Sequence, residues 1–247
     1  MIELDGSRGL GDALYVRAVA LHLLDKREQV TVFTRWPDVF SGLPVTLQPL
    51  TAYTGREDLH HVVSCLHCRL GAVKMLDKFT LACLQAGLDE PIPLRMDWKP
   101  LNNALLESIR AKAAGRPIFL YQPPKISGSD EQRDQEPSEG DFCRVVDENA
   151  GRFRIKVGHA KYVREYGGSE LDLFGKLSVT DALDVCTIAD LFFSTPSYLG
   201  IMAEALDRPH VCMFTRRAQV SPWVRTRSLT PLRFFHKPHL GTAIYDE

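Results

Sequence analysis

The chain lacks any apolar run near the roughly 20 residues that span a bilayer, so no transmembrane helix is expected. It also lacks a charge imbalance. A formal net charge of −1 excludes a global attraction to nucleic acid or anionic membrane, and any such affinity must be local. Cysteine is sparse: the six residues Cys65, Cys68, Cys83, Cys143, Cys186 and Cys212 are scattered, mostly in apolar surroundings, which points to reduced thiols in a cytoplasm. The acidic opening Met1 to Gly6 enters structure at once, unlike a secretory signal. The dinucleotide fingerprint G-x-G-x-x-G is missing, which removes the main support for a nicotinamide-dependent dehydrogenase. What remains is an ordinary globular composition, 45% hydrophobic and 25% charged, over 247 residues. That length fits one large domain or two of roughly 120 residues.

Met1 to Leu4 reads as a short strand, followed by a loop carrying Gly6, Gly9 and Gly11. Glycine there lets the backbone take positive φ and approach a ligand closely, although any tight βα turn can be glycine-rich. A helical pattern runs from Ala13 to Asp25 with Leu14, Ala18, Leu21 and Leu24 on the buried side. Asp12 sits where loop meets helix. It is either a first-turn carboxylate favoured by the helix dipole or a general base pointing into a cleft.

Further strands are expected at Gln29 to Thr34, Val45 to Leu50 and His61 to Leu66, with a short turn or helix at Pro37 to Phe40 and a helix at Ala72 to Ala86. Strands alternating with helices argue for a parallel α/β sheet. The Cys65/Cys68 C-x-x-C has no second ligand pair, and residues three apart on a strand face opposite ways, so no metal site is expected. A proline-rich stretch from Leu88 to Pro100 precedes a helix at Leu101 to Ala114, and Gly115 to Pro117 makes the best domain boundary.

The second half repeats the rhythm. Ile118 to Tyr121 is an apolar strand ending at a loop that carries Lys125, where a lysine can meet phosphate or simply be solvated. Ser129 to Asp141 holds six acids and one base with no apolar anchor, and reads as an exposed loop. Phe142 to Ala150 is helical and Phe153 to Val157 alternates as a strand. Ser178 with Asp181 forms a capping-box pattern for a helix to Ile188. Leu191 to Phe193 is a buried strand, Ser194 to Ser197 a polar turn, Tyr198 to Leu206 a helix, and His210 to Phe214 a second strand. In parallel sheets such a turn lies at the C-terminal strand edge, where helix-end amides hold anions, so Ser194 to Gly200 is the leading ligand-site candidate. Between Thr215 and His239 there are six bases (216, 217, 225, 227, 233, 237), no acid, and interleaved aromatics at Trp223, Phe234 and Phe235. Such a segment either wraps over the surface or contacts phosphates.

Two places together resemble a compact GT-B glycosyltransferase of the heptosyltransferase-like type, family 9 among glycosyltransferases. Gly9-Leu-Gly-Asp12 before a long helix is similar to that family's Gly-Asp loop. Asp172-Leu-Phe-Gly175, Ser178, Ala189-Asp190, Ser197, Met202-Ala-Glu-Ala-Leu206 and Pro209 are similar to its donor-binding half. The resemblance implies an α/β fold of two Rossmann-like domains facing a cleft. The acceptor side would be 1–115, the donor side 116–214, and 215–247 a basic segment packing back on the first domain. It implies a metal-independent, inverting transfer of a sugar from a nucleotide-diphosphate donor, with no other cofactor. Asp12 would be the base and Gly9 and Gly11 part of the cleft loop, while Lys125, Ser197, Tyr198, Leu199, Gly200 and Glu204 would hold the donor. The acceptor would be a carbohydrate or, through the basic segment, modified DNA; a nucleotide-sugar-binding protein without catalysis is the other reading. One departure is plain: where the family carries a histidine in the donor helix, this chain has Ile201-Met202-Ala203.

Overall fold

The computed structural model describes residues 2–6, 9–52, 83, 86–88, 92–124, 138–159, 166–195 and 197–213, and the backbone of 214, 232–236 and 240–245. The expected strand at 61–66, the helix at 72–86 apart from residues 83 and 86, the Cys65/Cys68 pair, Lys125 and most of the basic segment lie outside the described residues. By its internal contacts the chain forms two units, Met1–Asp97 with Ser221–Arg227, and Trp98–Val220 with Ser228–Glu247.

In the first unit, β1 (Ile2–Asp5), β2 (Val30–Thr34) and β3 (Thr46–Pro49) form a parallel sheet in the order β1-β2-β3. The helix α1 (Leu10–Asp25) connects β1 to β2. It starts earlier than its periodicity suggests, and it is not one-faced: every residue from Ala13 to Leu21 is buried, as is Leu23, while Leu24 is only partly so. A helix apolar all round is buried all round. The exception in that run is Arg17, only 2% exposed. Its Nε donates to Met96 O at 2.8 Å, and its Nη1 donates to Val39 O at 2.7 Å and Ser41 O at 3.0 Å. Burial lowers the guanidinium to about 10, opposed by the Asp97 charge, so it stays ionised at neutral pH. It thereby ties α1 to the 3-10 turn Pro37–Phe40 and to Met96 in the irregular segment 92–100.

Among the described residues of the second unit seven strands lie in the order β10-β9-β8-β7-β4-β5-β6. They are β4 (Ile118–Gln122), β5 (Phe153–Lys156), β6 (Leu171–Asp172), β7 (Leu191–Ser194), β8 (His210–Phe214), β9 (Leu232–His236) and β10 (Leu240–Tyr245). All neighbours are parallel except β9 and β10. Chain order runs outward from β4 in both directions, the doubly wound arrangement, and its switch point lies between β4 and β7. The helix α3 (Glu139–Glu148) covers one face. There Phe142, Val145 and Val146 pack on Phe119, Tyr121, Phe193 and Met213. Phe142 stacks on Phe193 at 4.4 Å between centroids. Side chains alternate along a strand, so Gln122, Ser194 and His210 point to the opposite face. That face carries α5 (Tyr198–Ala205), beside α4 (Val179–Cys186).

One expectation changes. The acidic stretch read as a loop ends inside α3, because Ser138 caps its N-terminus by accepting from Asp141 N at 3.1 Å. By its contacts the second unit begins at Trp98, and Asp184 supplies the reason. This fully buried carboxylate on α4 accepts from Trp98 Nε1 at 2.7 Å, Leu101 N at 3.0 Å and Asn102 N at 2.7 Å. It holds the lead into α2 (Asn103–Ala113) within the second unit. Residues 232–236 and 240–245 add two strands to the second sheet, with Met213 paired to Arg233 and Phe214 to Phe234, because β8 would otherwise present an unpaired edge.

Candidate functional site at the sheet switch point

The residues flanking the switch point come from the ends of β4 and β7 and the start of α5. Gln122 ends β4 and is paired in register with Ser194, which ends β7. Ser194 is fully buried, and its Oγ lies 3.1 Å from His210 Nε2 on β8. Ser197 Oγ donates to Ser194 Oγ at 3.1 Å and accepts from Leu199 N at 3.2 Å, which makes it the cap of α5. A row of polar groups thus runs from β8 across β7 to the helix end. By helix geometry the amides of Tyr198 and Gly200 lack intrahelical acceptors, so the first turn offers N–H groups with the positive end of the helix dipole.

Gly200 has a second function. A Cβ there would stand 2.7 Å from His210 Cε1 and 3.1 Å from its Nδ1. The imidazole therefore occupies the space a side chain would need. Burial lowers His210 to about 4, so it is neutral near pH 7. Burial, with the Cys186 thiol adding to it, raises the Tyr198 phenol well above its ordinary value, so that group stays protonated.

The other candidate residues are less concentrated. Leu199 is fully buried, and its amide already serves Ser197, so its side chain is core. Glu204 is exposed near the far end of α5, about 9 Å along the axis from Tyr198 at 1.5 Å per residue. In the first unit, Gly9 caps α1 with φ −93°, and Asp12 is the third helical residue rather than a loop residue. A Cβ on Gly9 would lie 2.9 Å from Asp12 Oδ2, so the carboxylate is drawn back over the helix end. None of Gly6, Gly9 and Gly11 has positive φ. Gly6 is required by its own sheet, since a Cβ there would meet Thr34 Cβ at 2.6 Å.

The Asp172 to Gly175 motif forms a turn of the second unit. Asp172 accepts from Lys156 Nζ at 2.7 Å and from Phe174 N at 2.9 Å. Burial pushes its carboxyl up, but these hydrogen bonds outweigh it and leave the group below the ordinary carboxylate value. Asp190 accepts from Ile118 N at 2.7 Å and pins the start of β7 to β4. Both motif acids have local partners. Arg17, Asp184 and Gln122 were missed. Arg17 sits alone in an apolar helix, a signal available in the sequence, whereas nothing near Asp184 or Gln122 sets them apart. Among the described residues no three His, Cys, Asp or Glu side chains gather as a metal site. Among them, too, no helix is long and apolar enough to cross a membrane.

The sequence matches no protein-family model and no curated protein. Solved structures do match. A glycosyltransferase family 9 protein from Veillonella parvula superposes with TM-score 0.63 at 10% identity, over 97% of this chain and 88% of that one. The iron-containing dodecameric glycosyltransferase TibC from enterotoxigenic E. coli gives TM-score 0.59 at 13% identity, over 99% of this chain and 68% of that one. The E. coli ADP-heptose LPS heptosyltransferase II gives 0.54 at 14%, over 96% and 92%. The parallel sheets flanked by helices, the doubly wound strand order and these three likenesses together give the chain the α/β fold of heptosyltransferase-like, GT-B-type glycosyltransferases.

Proposed function

We propose that the protein is an inverting glycosyltransferase that moves a sugar from a nucleotide-diphosphate donor to a carbohydrate hydroxyl, without a metal, in the cytoplasm. The observation that carries this reading is the polar helix start at the switch point, with Ser197 capping α5 and, by helix geometry, the Tyr198 and Gly200 amides left without intrahelical acceptors. The fold likeness to three glycosyltransferases supports it. Heptosyltransferase II uses ADP-heptose, which makes ADP-linked sugars the first donors to test.

In this reading the donor diphosphate lies on the α5 amides, with Lys125 neutralising it. Asp12 takes the proton from the acceptor hydroxyl as that oxygen attacks the anomeric carbon. The bond from that carbon to the diphosphate oxygen breaks on the opposite side, inverting the centre. Charge developing on the leaving diphosphate is met by N–H dipoles fixed before the reaction begins. The test is acceptor-dependent release of nucleoside diphosphate, with and without EDTA. Asp12→Asn should lower turnover by about 10²- to 10⁴-fold, the usual range for a lost general base. Turnover within a few-fold of wild type removes Asp12 from that role.

A second reading has its own observation. The Asp12 carboxylate is folded over Gly9, as a helix-capping acid would be. A nucleotide-sugar-binding protein without catalysis would show donor affinity and no turnover over a wide acceptor screen.

A further inference from the structure

Gln122 stands out within the second unit because it is polar, more than nine-tenths buried, and incompletely satisfied. It is 8% exposed, and its Oε1 is buried without a hydrogen-bond partner. Nearly all buried side-chain acceptors in folded proteins have partners, so such an atom calls for a reason. Its position supplies one. Gln122 is the last residue of β4, in register with Ser194, and the two strands flank the switch point. Paired strands lie roughly 4.8 Å apart, so Gln122 is the strand neighbour of Ser194, which begins the Ser194–Ser197 row leading to the α5 amides. Tyr121 belongs to the apolar cluster under α3, which sends Gln122 to the face that carries α5.

We propose that Gln122 is a positioning residue for the donor, its carbonyl oxygen accepting from a sugar hydroxyl next to the diphosphate. This rests on the nucleotide-sugar reading above. The unpartnered atom is an acceptor, so it needs a group that donates. An ionised phosphate oxygen carries no proton and cannot satisfy it, whereas a hydroxyl can. The hydroxyls of a nucleotide sugar flank its diphosphate on both sides, on the ribose and on the transferred sugar. The base lies farther off. Gln122 has three side-chain torsions with which to raise its amide to that hydroxyl. Inorganic diphosphate would use the helix amides and leave Gln122 as it is.

The experiment compares wild type, Gln122→Met and Gln122→Asn by calorimetric titration. The probes are inorganic pyrophosphate, the diphosphates ADP, UDP and GDP, and their glucose conjugates, and melting temperature is measured alongside. Methionine fills nearly the same volume without a buried acceptor, so its melting temperature should equal or exceed that of wild type. Its affinity for the preferred glucose conjugate should fall at least tenfold, while pyrophosphate stays within twofold. Loss that extends to the nucleoside diphosphate assigns the hydroxyl to ribose; loss confined to the conjugate assigns it to the transferred sugar. Gln122→Asn, which keeps an amide but shortens its reach, should show the same selectivity if the methionine variant folds poorly. Unchanged affinity for every probe overturns the proposal, as does an equal loss for all of them together with a lower melting temperature. A wild type that binds pyrophosphate but no nucleotide overturns the transferase reading and this one with it.

Discussion

Replacing Gly200 by alanine sets two effects of opposite sign against each other. In a helix interior, alanine is favoured over glycine by about 1 kcal/mol. The new Cβ, however, would stand 2.7 Å from His210 Cε1, well inside van der Waals contact. The ring cannot yield cheaply, since its Nε2 is engaged with Ser194 at 3.1 Å. Overpacking of this kind costs about 1–3 kcal/mol, and so close an approach belongs at the upper end. The expected net loss is about 2 kcal/mol, roughly a thirtyfold rise in local opening. Hydrogen exchange of the 191–214 segment reads this directly and does not require the two units to unfold together. In a His210→Ala background the obstacle is gone, and Gly200→Ala should become stabilising by about 1 kcal/mol. The double-mutant cycle then gives a coupling of about 3 kcal/mol. If Gly200→Ala protects the segment in the wild-type background, the imidazole does not occupy that space and the reasoning fails.

Stability should also depend on pH through His210. Burial lowers it from the ordinary 6.5 to about 4, so between those values the unfolded chain binds the proton and the folded chain does not. Stability is therefore full above pH 6.5 and falls as pH drops toward 4, by at most about 3 kcal/mol at 1.36 kcal/mol per pKa unit. Denaturation midpoints across this window should flatten in His210→Gln, and an unchanged slope in that variant would contradict the assignment. Asp184→Asn should cost about 3 kcal/mol or more, because a buried carboxylate that accepts three hydrogen bonds loses an acceptor oxygen and presents an N–H to donors. Faster exchange at 98–102 is the readout, and wild-type protection there would refute the latch.

Much of the fold is legible in the sequence. The apolar run at Leu191 to Phe193, the polar break at Ser194 to Ser197 and the helical spacing after Tyr198 correspond to β7, its turn and α5 within a residue or two. Ser178 and Asp181 likewise form the expected cap, with Asp181 N donating to Ser178 Oγ at 3.0 Å. Less legible is anything set by register between strands. His210 meets Ser194 because β7 and β8 are parallel and aligned, with Ser194 opposite Cys212, and no local pattern encodes that. Gln122 reads as an ordinary strand end, and only the lack of a partner inside the folded unit distinguishes it. Nor does local spacing show that Gly6 is fixed by Thr34, a contact made across the sheet of the first unit.

On this reading the switch point of the second unit holds a nucleotide diphosphate. Hydrogen exchange with and without saturating nucleoside diphosphates and sugar nucleotides tests it most directly. Protection should concentrate on residues 194–201 and on the end of β4 at Gln122, with a rise in melting temperature for the same compounds. Protection confined to other segments, or none with any nucleotide, would contradict the account.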